Sequence, residues 1–191
     1  MELSLPDRGG LPEEIAYLRA AHPRSGWPAH RNLGEMSRFW LSVHAELRRH
    51  GAQIGDALAA FRNEALDAAS FERFFAPNMS HFLQHLDGHH RIEDAAYFPK
   101  FRSLDPRMAA GFELLEKDHA LIQQQLVKSV GSARSLLASL SQSADAQHRT
   151  AEAHAEDYQV LREWLERHLS DEEELVIPAM LEYGERAISA G

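Results

Sequence analysis

Hydrophobic residues recur every three or four positions along most of the chain from Glu35 onward. This spacing is the period of an amphipathic helix whose apolar stripe faces a core. No stretch alternates apolar and polar residues for long enough to predict a strand. The pattern therefore predicts four long helices, at about 35–63, 67–98, 106–140 and 145–183.

The predicted helix ends carry appropriate capping residues. Asp105 suits the N-cap of the third helix and Pro106 its first turn, while Gly184 suits the C-cap of the fourth. Short connections between long helices are typical of antiparallel neighbours. The expected fold is all-α, an up-down-up-down four-helix bundle that takes in residues 35–191.

The first 34 residues have a different pattern, with frequent proline and glycine. We predict a loop-rich N-terminal extension, residues 1–34, that packs on the bundle. One short helix is expected in "PEEIAYLRAA", beginning at Pro12. Trp27 could plug the mouth of the bundle, but a packing role at one end is favoured.

Composition narrows the function classes. The 191 residues carry a net charge of −9 with no Lys/Arg run, so nucleic acid and anionic membranes are poor candidate partners. The absence of cysteine excludes disulfides, thiolate metal sites and thiol nucleophiles. With no signal peptide and no apolar stretch long enough to span a membrane, the cytoplasm is the expected location. The 12 histidines are the unusual count.

Two stretches of the chain repeat one pattern: "GHHRIEDAAYFPKF" and "RHLSDEEELVIPAM" both contain His, three residues, Glu, five residues, Pro. Residues four apart share a helix face at about 6 Å, so His89 lies beside Glu93, and His168 beside Glu172. His90, three residues before Glu93, can flank the same carboxylate.

The helix before each repeat carries a single histidine of its own, His44 on the first and His119 on the third. The chain thus resembles two helical hairpins related by an approximate two-fold axis. Packed together, the hairpins would bring these imidazoles and carboxylates to one level of the core.

Buried carboxylates need a compensating cation, because an unpaired buried charge costs several kcal/mol. One His-x3-Glu pair alone is usually a solvated surface pair. Two matched copies, each preceded by a lone core histidine, favour a dinuclear metal centre instead. A sulfur-free set of His and Glu suits Fe, Mn or Zn.

The segments "WLSVHAEL", "HHRIEDAAYFP", "EKDHALI" and "HLSDEEELVIPAM" resemble the hemerythrin-like (HHE cation-binding) domains over about residues 36–183. The resemblance implies a four-helix bundle with two iron ions in a non-heme centre, which an oxo or hydroxo group can bridge. The direct ligands it implies, with Glu93 and Glu172 as bridges, are His44, His89, Glu93, His119, His168 and Glu172.

The sequence departs from the oxygen-carrying members of that family at two places. Gln123 stands four residues after His119, where the carriers have a second histidine. Glu172 comes four residues after His168, where the carriers place an Asp at the fifth. His90 is expected to replace the missing ligand from a different helix, which argues against reversible oxygen carriage. Pro99 and Pro178 stand at the family's proline positions, and each predicts a bend or end of its helix.

The residues leave several functions open. The favoured one is binding or sensing of O2, NO or peroxide, in which signalling would need a protein partner. The alternatives are an enzyme that detoxifies peroxide or NO, an iron-handling protein, and a purely structural metal site. No catalytic residue apart from the metal ligands is expected, and the oligomeric state is open.

The remaining histidines are expected to lie outside the centre. His85, one turn before His89, predicts a core residue or a hydrogen-bond partner of a ligand. His154 lies too far along its helix from His168 to share the site. His50 and His148 are expected to face solvent.

Overall fold

The computed structural model describes residues 3–189, and all of the regular structure in them is helical. The all-α prediction is confirmed at this level. Every helix among these residues is too short or too polar to cross a bilayer. The α-helices are α1 (Glu35–Arg62), α2 (Ala68–Ile92), α3 (Phe98–Leu104), α4 (Ala109–Ser139), α5 (Ala144–Tyr183) and α6 (Glu185–Ser189).

The predicted capping residues act as expected. The Asp105 side chain accepts a hydrogen bond from the Arg107 backbone N–H, and Pro106–Met108 form a 3-10 turn that leads into α4. Gly184 follows α5 with a φ of 79°, which is a left-handed conformation that glycine adopts at little cost. The start of α4 and the end of α5 therefore lie within one turn of the predicted positions.

The second predicted helix is interrupted by a π-helical turn, Glu93–Tyr97, between α2 and α3. The Phe98 N–H bonds to the Glu93 carbonyl, five residues back. Pro99 has no N–H to donate to the preceding turn and its ring crowds that turn, so the wider π turn relieves a clash. At Pro178 the helix does not end, because α5 continues past it to Tyr183, and a bend there stays a prediction.

The short helix predicted at Pro12 is wrong. Residues 13–21 form successive turns, with bonds such as Ala16 N–H to the Pro12 carbonyl. The helix that precedes α1 is instead the 3-10 segment Arg24–Ala29. A short isolated helix is marginal in water, and here the chain bends so that Leu11 and Ala16 join an apolar core.

The chain divides into two compact units, of which the first comprises the chain up to Ala45, His89–Ala120 and the chain from Glu166. Its core is rich in aromatic residues, including Trp40, Phe98, Phe101 and Phe112. Trp27 is buried in this core and its indole N–H donates to the His22 carbonyl, as expected of a packing residue. All seven predicted metal ligands lie in this unit. The division of the chain at residue 34 stays a prediction.

The second unit comprises Glu46–Gly88 and Leu121–Leu165, and has its own buried residues, such as Ile54, Phe71, Phe75 and Leu161. The prediction for His148 is confirmed, because its side chain is exposed. The prediction for His50 is wrong. Its ring is 6% exposed and packs against the rings of His81 and Phe82, because the apolar face of α1 is wider than the sequence stripe suggested.

Candidate metal centre

The first unit gathers the predicted ligands from several elements. His44 comes from α1, His89 and His90 from the last turn of α2, and His119 from α4; His168 and Glu172 come from α5, and Glu93 begins the π turn. Their donor atoms form two groups, and within each group all of the donor atoms lie within 4.8 Å of one another. The His119 group is His90, Glu93, His119 and His168, and the His44 group is His44, His89, Glu93 and Glu172.

In the His119 group three imidazoles surround one carboxylate. His119 Nε2 lies 3.0 Å from His168 Nε2 and 3.7 Å from Glu93 Oε2. The ring of His90 stacks on that of His119, with centroids 4.0 Å apart. The structure therefore places His90 within this group, while the side chain of Gln123 is exposed.

In the His44 group two imidazoles face two carboxylates. His89 Nε2 lies 3.0 Å from Glu93 Oε1, and His44 Nε2 lies 3.5 Å from Glu172 Oε1. Glu93 belongs to both groups. Glu172 also reaches both, because its Oε2 is 3.1 Å from His168 Nε2. The two glutamates are thus placed to join the groups.

Most of these donor atoms are buried without a hydrogen bond. Within the described residues no partner with hydrogen-bond geometry is found for His44 Nε2, His89 Nε2, His90 Nε2, both carboxylate oxygens of Glu93, or Glu172 Oε2. Several approach one another closely but lack the alignment of a bond. Buried polar atoms are normally satisfied, and bound cations that accept their lone pairs would satisfy all six. The donor chemistry fits a metal.

The surroundings of the two glutamates shift their pKa values in opposite directions. Burial, with the nearby charge of Glu172, raises the pKa of Glu93 well above its usual value. Burial also opposes the charge of Glu172, but His44 and His168 outweigh it and lower the pKa of Glu172 well below its usual value. Two carboxylates this close cannot both ionise cheaply without a compensating cation.

The imidazoles of α2 are held neutral. Burial, more than the neighbouring charges, lowers the pKa of His89 to about 3. Burial and the neighbouring His119 lower the pKa of His90 well below its usual value. A neutral imidazole keeps the lone pair that a metal requires.

Three ligand-candidate imidazoles have a carboxylate behind them. The Nδ1 atoms of His119, His44 and His168 lie 2.8 Å from Asp94 Oδ1, 3.1 Å from Glu173 Oε1 and 3.5 Å from Asp118 Oδ2. An ionised carboxylate only accepts, so each Nδ1 carries a proton and each Nε2 is the atom that faces the centre, where it would give up any proton of its own on binding a metal. This arrangement orients metal-binding histidines in proteins.

Sequence reasoning missed these carboxylates, although each is the immediate sequence neighbour of a predicted ligand. It also missed the indole of Trp40, whose N–H donates to Glu172 Oε1 at 2.7 Å. Trp40 reads in the sequence as one more residue of the apolar stripe. The ring of Tyr97 packs edge-on against the Trp40 ring, with centroids 5.0 Å apart.

Comparison with known proteins bears on the whole of this arrangement. The family model for the hemerythrin HHE cation binding domain matches residues 35–180. Neither the curated proteins nor the solved structures gave a match. The matched range contains every residue of the His44 and His119 groups, and the chain therefore belongs to the hemerythrin HHE cation-binding domain family.

Proposed function

We propose that the chain binds two iron ions, one at the His44 group and one at the His119 group, with Glu93 and Glu172 as bridges. The ligand set is the one expected from the sequence: His44, His89, His90, Glu93, His119, His168 and Glu172. We propose with it that α1, α2, α4 and α5 run alternately up and down as a four-helix bundle.

The observation that carries this proposal is the set of buried donor atoms without hydrogen bonds. Desolvated lone pairs from six atoms, all directed to one region, are costly in a protein without a cation there. In a purely structural cluster, lysine or arginine side chains would be expected to pair with these buried carboxylates. Bound metal accounts for all of them together.

Iron is the preferred metal because the family is a cation-binding one in which iron is typical. The donors are imidazole and carboxylate without sulfur, which is compatible with iron. A pair of iron ions supplies redox chemistry and a position for a small oxygen- or nitrogen-containing ligand. The protein supplies oriented ligands and a site from which water is largely excluded.

The function we propose is binding or sensing of O2, NO or peroxide. The side chains of the centre are nearly inaccessible, with His89 the most exposed at 10% and the His44, His168 and Glu172 side chains at 0%. Such burial favours molecules of two or three non-hydrogen atoms over larger substrates. A change in the centre would then shift the helices that carry its ligands. Any surface of these helices to which a partner protein binds would change with it.

Metal analysis with an optical spectrum tests the proposal directly. We expect two irons per chain, and a stable visible band that appears when a reduced sample meets O2 or NO, without sustained turnover. Sustained turnover of added peroxide or NO would replace the binding function with an enzymatic one. Zinc, or no metal after growth with iron, would contradict the proposal.

A pair of variants locates the iron. We expect His168→Ala to lose at least one iron, because His168 lies 3.0 Å from His119 Nε2 and 3.1 Å from Glu172 Oε2. His148→Ala, at an exposed position on the same helix, should keep both. Full iron retention in His168→Ala would remove that residue from the ligand set.

A further inference from the structure

Two arginines near the N-terminus contact the carboxylates that lie behind the metal-facing histidines. Arg24 contacts Glu173, and Arg8 contacts Asp118. We propose that both are positioning residues, and that the segment from Arg8 to Arg24 sets how firmly the centre holds its ions and how readily they are reduced. This inference rests on the proposed iron centre.

The first chain of contacts leads to the His44 group. Arg24 Nη2 lies 2.6 Å from Glu173 Oε2, and the other oxygen of the same carboxylate lies 3.1 Å from His44 Nδ1. The Glu173 side chain is 2% exposed, whereas Arg24 is 51% exposed. One carboxylate thus links a solvent-facing cation to an imidazole of the centre. The Arg24 guanidinium is held over the ring of the buried Trp27 at 4.8 Å.

The second chain of contacts leads to the His119 group. Arg8 Nη1 donates to Asp118 Oδ1 at 2.8 Å, and a second nitrogen, Nη2, pairs with Asp118 Oδ2. That oxygen lies 3.5 Å from His168 Nδ1. Arg8 Nε also donates to Asp171 Oδ2 at 2.7 Å, and its side chain is 2% exposed. The planar guanidinium fixes two buried carboxylates at once, as a lysine could not.

The two arginines therefore act on different ions. His168 belongs to the His119 group only, and His44 to the His44 group only. A carboxylate paired with arginine accepts the Nδ1 proton less strongly, which leaves the imidazole a weaker donor to metal. Without the arginine, that imidazole becomes more electron-rich and less firmly placed. The greater electron density should make the associated iron harder to reduce. The looser placement of the imidazole should let that iron leave more quickly.

The chain offers a matched control at the next residue of α5. Arg19 Nη1 lies 2.6 Å from Glu174 Oε2, an ion pair of similar length from the same N-terminal segment. Both partners are about one-third exposed, and Glu174 pairs with Arg19 rather than with a histidine of the centre. An arginine that only fastens the segment to α5 should behave like Arg19.

The test compares iron-loaded full-length Arg24→Gln, Arg19→Gln and Arg24→Lys. For Arg24→Gln we expect two bound irons, several-fold faster loss of one of them to a ferrous chelator, and a lower reduction potential. The exchangeable imidazole N–H resonance of His44 should also shift in the paramagnetic NMR spectrum. Arg19→Gln should match the unmodified protein, and Arg24→Lys should restore most of the potential because it keeps the charge.

The outcomes separate this inference from the function on which it rests. If the unmodified chain holds two irons but Arg24→Gln and Arg19→Gln give the same potential and the same iron loss, the inference is overturned alone. If the unmodified chain holds no iron pair, both fall.

Arg8 needs a milder change, because Arg8→Ala would leave Asp118 and Asp171 buried without a cation. We expect Arg8→Lys to fold, to keep the iron of the His44 group, and to lose the iron of the His119 group several-fold faster. Urea unfolding of the metal-free variant checks the fold. Unchanged iron loss from a folded Arg8→Lys would overturn the role of Arg8.

Discussion

Replacing Glu93 by Gln should stabilise the metal-free protein while it removes the ability to hold two ions. Glu93 is 2% exposed, and neither of its oxygens has a hydrogen-bond donor among the described residues. Burial and the charge of Glu172 raise the pKa of Glu93 well above its ordinary value of 4.5. Glutamine keeps the shape and removes the charge.

The magnitude follows from the linkage between pKa and stability. A carboxyl group whose pKa is raised by folding costs nothing below its unfolded pKa, and costs progressively more as the pH rises toward its folded pKa. At pH 7 the cost is bounded, because Glu93 can take up a proton instead of ionising. Each pH unit above 4.5 contributes about 1.4 kcal/mol. The ceiling at pH 7 is therefore about 3 kcal/mol, a large part of a typical folding free energy.

Urea unfolding of the chelator-treated proteins at pH 5 and pH 7 measures this cost. The free-energy difference between Glu93→Gln and the unmodified protein should be small at pH 5 and should grow to as much as about 3 kcal/mol at pH 7, in favour of the variant. Taking the difference between the two proteins cancels the histidines that titrate in both. Iron binding to the variant should fall below two ions per chain.

The reasoning would be refuted if Glu93→Gln were no more stable than the unmodified protein at pH 7, or if the difference did not change between the two pH values. Retention of two tightly bound irons by the variant would independently show that Glu93 does not bridge them.

Two further changes test neighbouring interactions. Trp40→Phe should weaken iron binding about tenfold or more in a chelator competition, because it removes the N–H donor that holds Glu172 at 2.7 Å and such charge-assisted bonds contribute about 1.5–3 kcal/mol. An unchanged affinity would show that Glu172 is held without it. Gly34→Ala should lower the unfolding free energy by about 1 kcal/mol, since the added Cβ would meet Glu185 Oε2 at 2.2 Å. That oxygen accepts a hydrogen bond from the Met36 N–H and so caps the first turn of α1, a contact that the methyl group would displace. Gly131→Ala, which meets nothing within 4 Å in the described chain, should instead gain about 0.5–1 kcal/mol in the same melt.

The long helices could be predicted because their signals are local. A periodic apolar stripe and an N-cap such as Asp105 depend on neighbours within one or two turns. The same holds for His89 with Glu93, whose shared helix face follows from a spacing of four. Glu93 nevertheless begins a π turn, which only the effect of Pro99 on the preceding turn explains.

The contacts behind the ligands could not be predicted because they join distant parts of the chain. Arg8 lies 110 positions from Asp118 and 163 from Asp171. The N-terminal segment has little helical pattern, and its packing is decided by these ion pairs and by burial of Leu11 and Trp27. Such pairings have no local signature. The sequence therefore predicted a loop-rich segment but not the contacts of its arginines.

The centre and the stability of the first unit are linked by the same buried groups. Glu93 is costly to ionise in the absence of a cation, because burial and the charge of Glu172 oppose its charge and the neighbouring His89 is held neutral by burial. A metal that binds the folded chain removes that cost and adds its own binding free energy to folding. Metal loss should therefore loosen the first unit before it disturbs Phe71 and Ile54, which lie in the core of the second. A centre built on unsatisfied donors would thus make the order of its own unit depend on whether an ion is bound, as the proposed sensing function requires.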